Sequence, residues 1–250
     1  MKNGKLKQPN GIINADCYKS MKGIGRTSVQ LIITSPPYNI GKEYEKKISF
    51  SNYLKDQEKI LRECVRILKD EGSICWQVGT YVKKGYEIIP LDIPIYNICN
   101  KLGLKLRNRI VWRFEHGLHA TKKFSGRYET ILWFTKSNNY KFNLDDVRVP
   151  QKYPGKLSYK GKNKGNYSGN IKGKNPSDVW NIPNVKSFHV EKTIHPCQFP
   201  IELAERLILS LSDKNDLVLD PYAGVGTTII AAKKNGRNGL GFEIVKKYVS

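Results

Sequence analysis

A chain of 250 residues with 43 Lys and Arg against 22 Asp and Glu carries a formal charge of +21. Its length suits one well-filled core with room for an inserted subdomain, and so large a basic excess points to a polyanionic partner, nucleic acid first. Lysine-rich codon bias would give the same excess without any partner. The five cysteines, Cys17, Cys64, Cys75, Cys99 and Cys197, include no CxxC pair and lie in apolar surroundings. That predicts reduced, packed thiols rather than disulfides or a zinc site. His116 and His119 are too isolated to hold a metal and read as surface-loop residues. No apolar stretch reaches the length of a membrane span, and the opening MKNGKLKQPNG is no signal peptide, so a soluble, cytoplasmic chain is expected.

In chain order, GIINA, VQLIIT, SICWQVG, LRNRIVWRF and ETILWFT read as strands. Between them, NYLKDQEKILRECVRILK sets Leu54, Ile60, Leu61, Cys64, Val65 and Leu68 on one helical stripe, with Asp70-Glu71-Gly72 as its stop. PIYNICNKLG reads as a second helix closed by glycine. Strands alternating with helices predict a doubly wound, mostly parallel α/β sheet. After Thr135 the periodicity fades. The stretch QKYPGKLSYKGKNKGNYSGNIKGKN has no acidic residue and interleaves Tyr153, Tyr159 and Tyr167 with Lys152, Lys156, Lys160, Lys162, Lys164, Lys172 and Lys174. Lysines neutralise phosphates and aromatic rings stack on bases, which makes this a candidate DNA-binding region; a solvated linker has the same composition. The α/β pattern then resumes with PIELAERLILSLS, LVLD, TTIIAAKKNG and GLGFE.

Two motifs carry chemistry. TSPPYN follows the apolar run VQLII directly, and two prolines without N–H groups cannot continue a ladder. The chain therefore leaves a buried strand through a stiff loop bearing the Ser35 hydroxyl, the Pro36 carbonyl, Pro37 and the Tyr38 ring. In LVLDPYAGVGTT, Asp220 ends a strand, Gly224 and Gly226 turn the chain and Thr227 opens a helix, while Glu243 ends the next strand where a carboxylate can take both hydroxyls of a ribose. The spacing is neither GxGxxG nor a GxxxxGK[ST] phosphate loop, which disfavours a dehydrogenase or an NTPase.

Together these segments resemble the amino-group DNA methyltransferases that use S-adenosylmethionine. TSPPY resembles that family's catalytic loop, DPYAGVGTT its cofactor turn, HPCQFPIELAERLI the segment before that turn, GRYETILWFTK a late strand motif and GKNPSDVWNIPNV the tail of a target-recognition region. The order, catalytic loop first, is that of the β class. The resemblance implies a Rossmann-like domain in two halves, 1–135 catalytic and 193–250 cofactor-binding, with a basic target-recognition insert at 136–192. It implies catalytic roles for Ser35, Pro36, Pro37 and Tyr38. It places Asp16 at the adenine end of the cofactor, Asp220 at the methionine part and Glu243 on the ribose, with Tyr222, Gly224, Gly226, Thr227, Thr228, His195 and Pro196 around them. Phe199 stands where the family's usual form has lysine. The chain stops at Ser250, just past GFEIVKKY, so a helix usual in the family is short or missing, and the pocket edge is expected to be looser or completed by another subunit.

The reaction so implied moves a methyl group from S-adenosylmethionine to the exocyclic amine of a base swung out of duplex DNA. Ser35, where an acidic form leans towards adenine N6, favours cytosine N4. Methylation of adenine N6, an RNA substrate and an inactive DNA-binding protein of the same fold are the alternatives. No metal is needed. A separate restriction endonuclease and a homodimer are partners compatible with the resemblance.

Overall fold

Strands and helices run from Gly11 to Glu243, and the computed structural model describes residues 10–83, 87–117, 119–186 and 189–249. The expectation of no signal peptide falls mainly on residues 1–9, outside the described residues. In chain order the elements are β1 (Gly11–Asn14), α1 (Cys17–Met21), β2 (Val29–Thr34), α2 (Phe50–Ile67), β3 (Leu68–Val78), β4 (Thr80–Val82), β5 (Ile88–Pro90) and α3 (Asp92–Lys101). They continue with β6 (Lys105–Arg113), β7 (Tyr128–Thr135), β8 (Val179–Asn181), α4 (Ile201–Leu211), β9 (Leu217–Asp220), α5 (Thr227–Lys234) and β10 (Asn238–Glu243).

Eight strands form one sheet in the order β1-β10-β9-β2-β3-β7-β6-β8, and β4 and β5 make a small separate hairpin. The ladder is parallel from β1 to β3; β7 alone runs against its neighbours β3 and β6, and β8 pairs parallel to β6. Side chains alternate between two cores as the strand period demands. Ile32, Ile74, Trp76, Phe134 and Leu219 pack on the face of α1, α2 and α3, whereas Leu31, Ile33, Cys75, Trp133 and Val218 pack under α4 and α5. This is the mostly parallel, doubly wound sheet that the sequence predicts. Among the described residues no helix is long and apolar enough to cross a membrane.

Three local differences stand out. The second helix begins at Phe50, capped by the Ser49 side chain, and ends at Ile67, because Leu68 is already extended (φ −67°, ψ 134°). Asp70-Glu71-Gly72 is therefore an irregularity within β3 rather than a helix stop: Val29 pairs with Leu68, and Leu31 with Ser73. A Cβ on Gly72 would lie 2.8 Å from the Gln30 carbonyl oxygen, so this crossing needs glycine. The stretch 136–192 also contains β8, whose three residues are too few to show a period; Trp180 is buried there and Trp112 Nε1 donates to the Ile182 carbonyl at 2.8 Å. Finally, Cys197 is exposed, whereas Cys64, Cys75 and Cys99 are buried as expected.

Candidate active site

The C-terminal ends of β1, β2, β3, β9 and β10 lie along one edge of the sheet, and β7, running the other way, brings its first residues to the same edge. Loops leaving such an edge are where open α/β sheets bind ligands. A cleft of about 650 Å³ opens there. It gathers most of the residues singled out in the sequence: Asp16, Ser35, Pro36, Pro37, Tyr38, His195, Pro196, Tyr222, Gly224, Thr227 and Glu243 all line it. Asp220, Gly226 and Thr228 do not.

The proline loop is held from both sides. Before it, Thr34 Oγ1 donates to Asp220 Oδ1 at 2.6 Å. After it, Glu45 accepts the backbone N–H groups of Asn39, Ile40, Gly41 and Lys42 at 2.7, 2.7, 2.9 and 3.2 Å. One carboxylate thus satisfies four amides that have left secondary structure, which keeps this irregular stretch from fraying. Asn39, in the left-handed region at φ 58°, exchanges two 2.8 Å bonds with the Ile48 backbone.

Within the loop, Ser35 Oγ lies 3.1 Å from the Tyr38 hydroxyl, which donates to Glu129 Oε2 at 2.9 Å. Gln77 Nε2 donates to the same oxygen at 2.7 Å. Glu129 and Gln77 come from β7 and β3 and both line the cleft. Burial raises the carboxyl pKa of Glu129 above its usual range, against the two donated bonds that lower it. Tyr38 is half-buried, its ring edge packed on Gly79, where a Cβ would lie 2.8 Å from Cε2. Desolvation keeps its phenol fully protonated at neutral pH.

On the other wall, Glu243 Oε2 accepts the Gly224 N–H at 2.9 Å and Oε1 that of Val245 at 2.7 Å. Gly224 and Gly226 both have positive φ, 53° and 84°, and a Cβ on Gly226 would sit 2.5 Å from Ile12 Cδ1. The turn is open to glycine alone. Asp16 caps α1 by accepting the Lys19 N–H at 2.8 Å. Asp220 faces the protein rather than the cleft: it is 1% exposed and accepts from Thr34, from Tyr222 N at 3.0 Å and from Thr228 Oγ1 at 2.7 Å. Burial pushes its carboxyl up to about 6. His195 stacks on Tyr44 and meets the edge of Tyr248 at 4.6 Å between ring centres, while the Tyr248 hydroxyl donates to Glu43 at 2.7 Å. Tyr248, 1% exposed, backs His195, which lines the cleft. Phe199 is buried and lines the cleft, so that position offers no charge.

The seven lysines from Lys152 to Lys174 are spread along a surface lobe and none lines the cleft. Lys172 is paired with Asp145 at 2.6 Å, an acid outside the stretch itself. Sequence reasoning missed Glu129, Gln77 and Trp112 as lining residues. A signal existed for Gln77, a buried polar residue inside the apolar run SICWQVG. Among the described residues no group of three His, Cys, Asp or Glu side chains is placed to hold a metal.

Residues 29–250 match the profile of a family described as DNA methylase. Type II methyltransferase M.BglII of Bacillus subtilis is 52% identical over 240 residues, spanning 96% of this chain and 67% of its own. DNA adenine methyltransferase YhdJ of Escherichia coli K12 is 34% identical over 247 residues, 95% of this chain and 79% of its own. Among solved structures, the cytosine-N4-specific PvuII DNA methyltransferase superposes with a TM-score of 0.76 at 21% identity, covering 97% of this chain and 84% of that one. TTHA0409 of Thermus thermophilus, in its complex with S-adenosyl-L-methionine, gives 0.69 at 26% identity over 96% and 90% of the two chains. By the family match and by these relatives, the chain belongs to the N6/N4 DNA methylase family.

Proposed function

We propose that this DNA methyltransferase modifies the exocyclic N4 of cytosine in duplex DNA, with the base swung out of the helix into the cleft and S-adenosylmethionine as the methyl donor. The observation that carries the reading is the meeting, in one cleft, of the Ser35–Pro36 acceptor pair with the Gly224–Glu243 turn. The residues suit such a donor: each Glu243 oxygen holds a single backbone N–H and keeps a lone pair for ribose hydroxyls. When bound, the cofactor supplies an electrophilic methyl group on a sulfonium. The chain's own task is to orient the amine. Its lone pair is delocalised into the ring, and the Ser35 hydroxyl and Pro36 carbonyl, by accepting both N–H bonds, pull the nitrogen towards tetrahedral geometry. Tyr38 offers its ring to the flipped base and Asp16 faces the adenine end of the cofactor. Asp220 takes a different part from the one the resemblance implies, positioning Thr34 and Thr228 rather than touching the cofactor.

Cytosine is favoured because Ser35 is small and neutral, which suits the more compact pyrimidine and costs less to desolvate than a carboxylate. Adenine N6 is the second reading, supported by the 34% identity to a DNA adenine methyltransferase. The lysines of 152–174 would hold phosphates, and a separate restriction endonuclease would be the partner of such a modifying enzyme. Nucleoside mass spectrometry on DNA treated with the purified protein tests the reading: N4-methylcytosine is expected, and N6-methyladenine alone would overturn the choice of base.

A further inference from the structure

Transfer of a methyl group to an amine leaves a proton to be disposed of, and in this site the Ser35 hydroxyl faces a line of hydrogen bonds running along the cleft wall. Ser35 Oγ and the Tyr38 hydroxyl are 3.1 Å apart, and Tyr38 donates onward to Glu129 Oε2 at 2.9 Å. Because the Tyr38 proton points at Glu129, the Ser35 proton points at Tyr38, and the free lone pairs of Ser35 Oγ are left for the N–H of the target amine. Every donor in the line has one direction, and the line ends on a carboxylate. Gln77, donating to the same Oε2 at 2.7 Å, holds that end in place.

We infer that Glu129 is the proton acceptor of the reaction, working through Tyr38 and Ser35. The inference rests on the reading of the cleft as an amino-methylating site. The amine lone pair forms the new C–N bond as the C–S bond breaks, its electron pair remaining on sulfur as a neutral thioether. The nitrogen, now positive, gives one proton to Ser35 Oγ as Ser35 passes its own to Tyr38 and Tyr38 passes its own to Glu129. The carboxylate becomes a neutral acid, and its proton returns to solvent after the product leaves. Before that, the ionised carboxylate stabilises the positive charge developing on nitrogen. The groups that face Glu129 are Tyr38 and Gln77 by hydrogen bond, Tyr44 across the cleft, and Trp112 opposite it on β6. Burial already favours the neutral form of this carboxyl, which suits a proton sink better than a fully solvated acid.

The test uses Glu129→Gln, Tyr38→Phe and the double variant of the full chain. Single-turnover methyl transfer to duplex DNA should fall roughly 10²-fold in each single variant, the usual worth of a proton-transfer group, and no further in the double. The wild-type rate should decline on the acid side as Glu129 protonates, and Glu129→Gln should lose that limb while its calorimetric affinity for S-adenosylmethionine stays unchanged. A second readout needs no cofactor: the melting temperature of wild type relative to Glu129→Gln should decline as pH rises through the carboxyl's raised titration range. A Glu129→Gln protein with the wild-type rate and acid limb, or losses that multiply in the double variant, would overturn the inference. Those results presuppose an active wild type; a wild type that methylates no base would instead remove the reading beneath it.

Discussion

Thr34, the last residue of β2, donates its hydroxyl to Asp220, the last residue of β9, at 2.6 Å inside the core. The proline loop and the glycine turn each begin at one end of this bond, so the two halves of the cleft share a single joint. Asp220 rises from an ordinary 3.8 to about 6, chiefly through burial, with its hydrogen bonds opposing the shift. An acid raised in the folded state contributes stability that is full below pH 3.8 and is lost as pH climbs through about 6. Asp220→Asn should remove that slope, worth about 3 kcal/mol for a shift of this size, and denaturant titrations between pH 4 and 7 would read it. Asp220→Ala should destabilise at every pH, by about 2–4 kcal/mol, because it orphans two buried hydroxyls and an amide. A flat wild-type profile between those limits would refute the assignment.

Glu243 serves two backbone amides and the cleft at once. Glu243→Gln should weaken S-adenosylmethionine binding by roughly 10- to 150-fold, the range for losing one charge-assisted hydrogen bond. Isothermal calorimetry measures it directly, and unchanged affinity would move the ribose elsewhere in the cleft.

Among the lysines of 152–174, those without an acidic partner should dominate DNA affinity. Replacing Lys156, Lys160 and Lys162 by glutamine should flatten the log–log salt dependence by about 0.9 per lost phosphate contact. Lys172→Gln should change it least, because its ammonium is already held by Asp145. Equal slopes in all variants would return this stretch to the status of a solvated loop.

Glu45 is the sole acceptor found for four consecutive amides after Tyr38 among the described residues. Glu45→Ala should speed hydrogen exchange of Asn39 to Lys42 and lower turnover more than it lowers cofactor affinity. Amide exchange that matches wild type would show that the Asn39–Ile48 bonds suffice to hold the loop.

Much of this fold was legible in the sequence, because it is written in periods. The β2 run ends where two prolines must end it, and the stripe from Leu54 to Leu68 announced the body of α2. What escaped depends on pairing across long stretches of chain. Glu129 meets Gln77 only because β7 runs antiparallel to β3, with Ile131 opposite Gln77 and Thr130 opposite Val78. Nothing local to GRYETILWFTK says that its glutamate ends beneath a tyrosine 91 residues earlier. The orientation of Asp220 was equally hidden: a carboxylate at a strand end can face the ligand or the neighbouring strand, and the choice is made by Thr34 and Thr228. The three-residue β8 was too short to be seen as a period and needed β6 to pair with.

The lobe from 150 to 173 leaves and rejoins the body through a neck closed by two backbone hydrogen bonds between Val149 and Lys174, at 3.0 and 2.9 Å. Backbone atoms make that closure, so it places little demand on side-chain identity, and lengthening a closed loop adds little entropic cost. A lobe mounted in this way can be exchanged or rewritten over evolutionary time while the sheet and its cleft stay as they are. The cleft and this lobe are thus able to diverge at different speeds, and if the lobe holds DNA as proposed, the target could change without disturbing the chemistry.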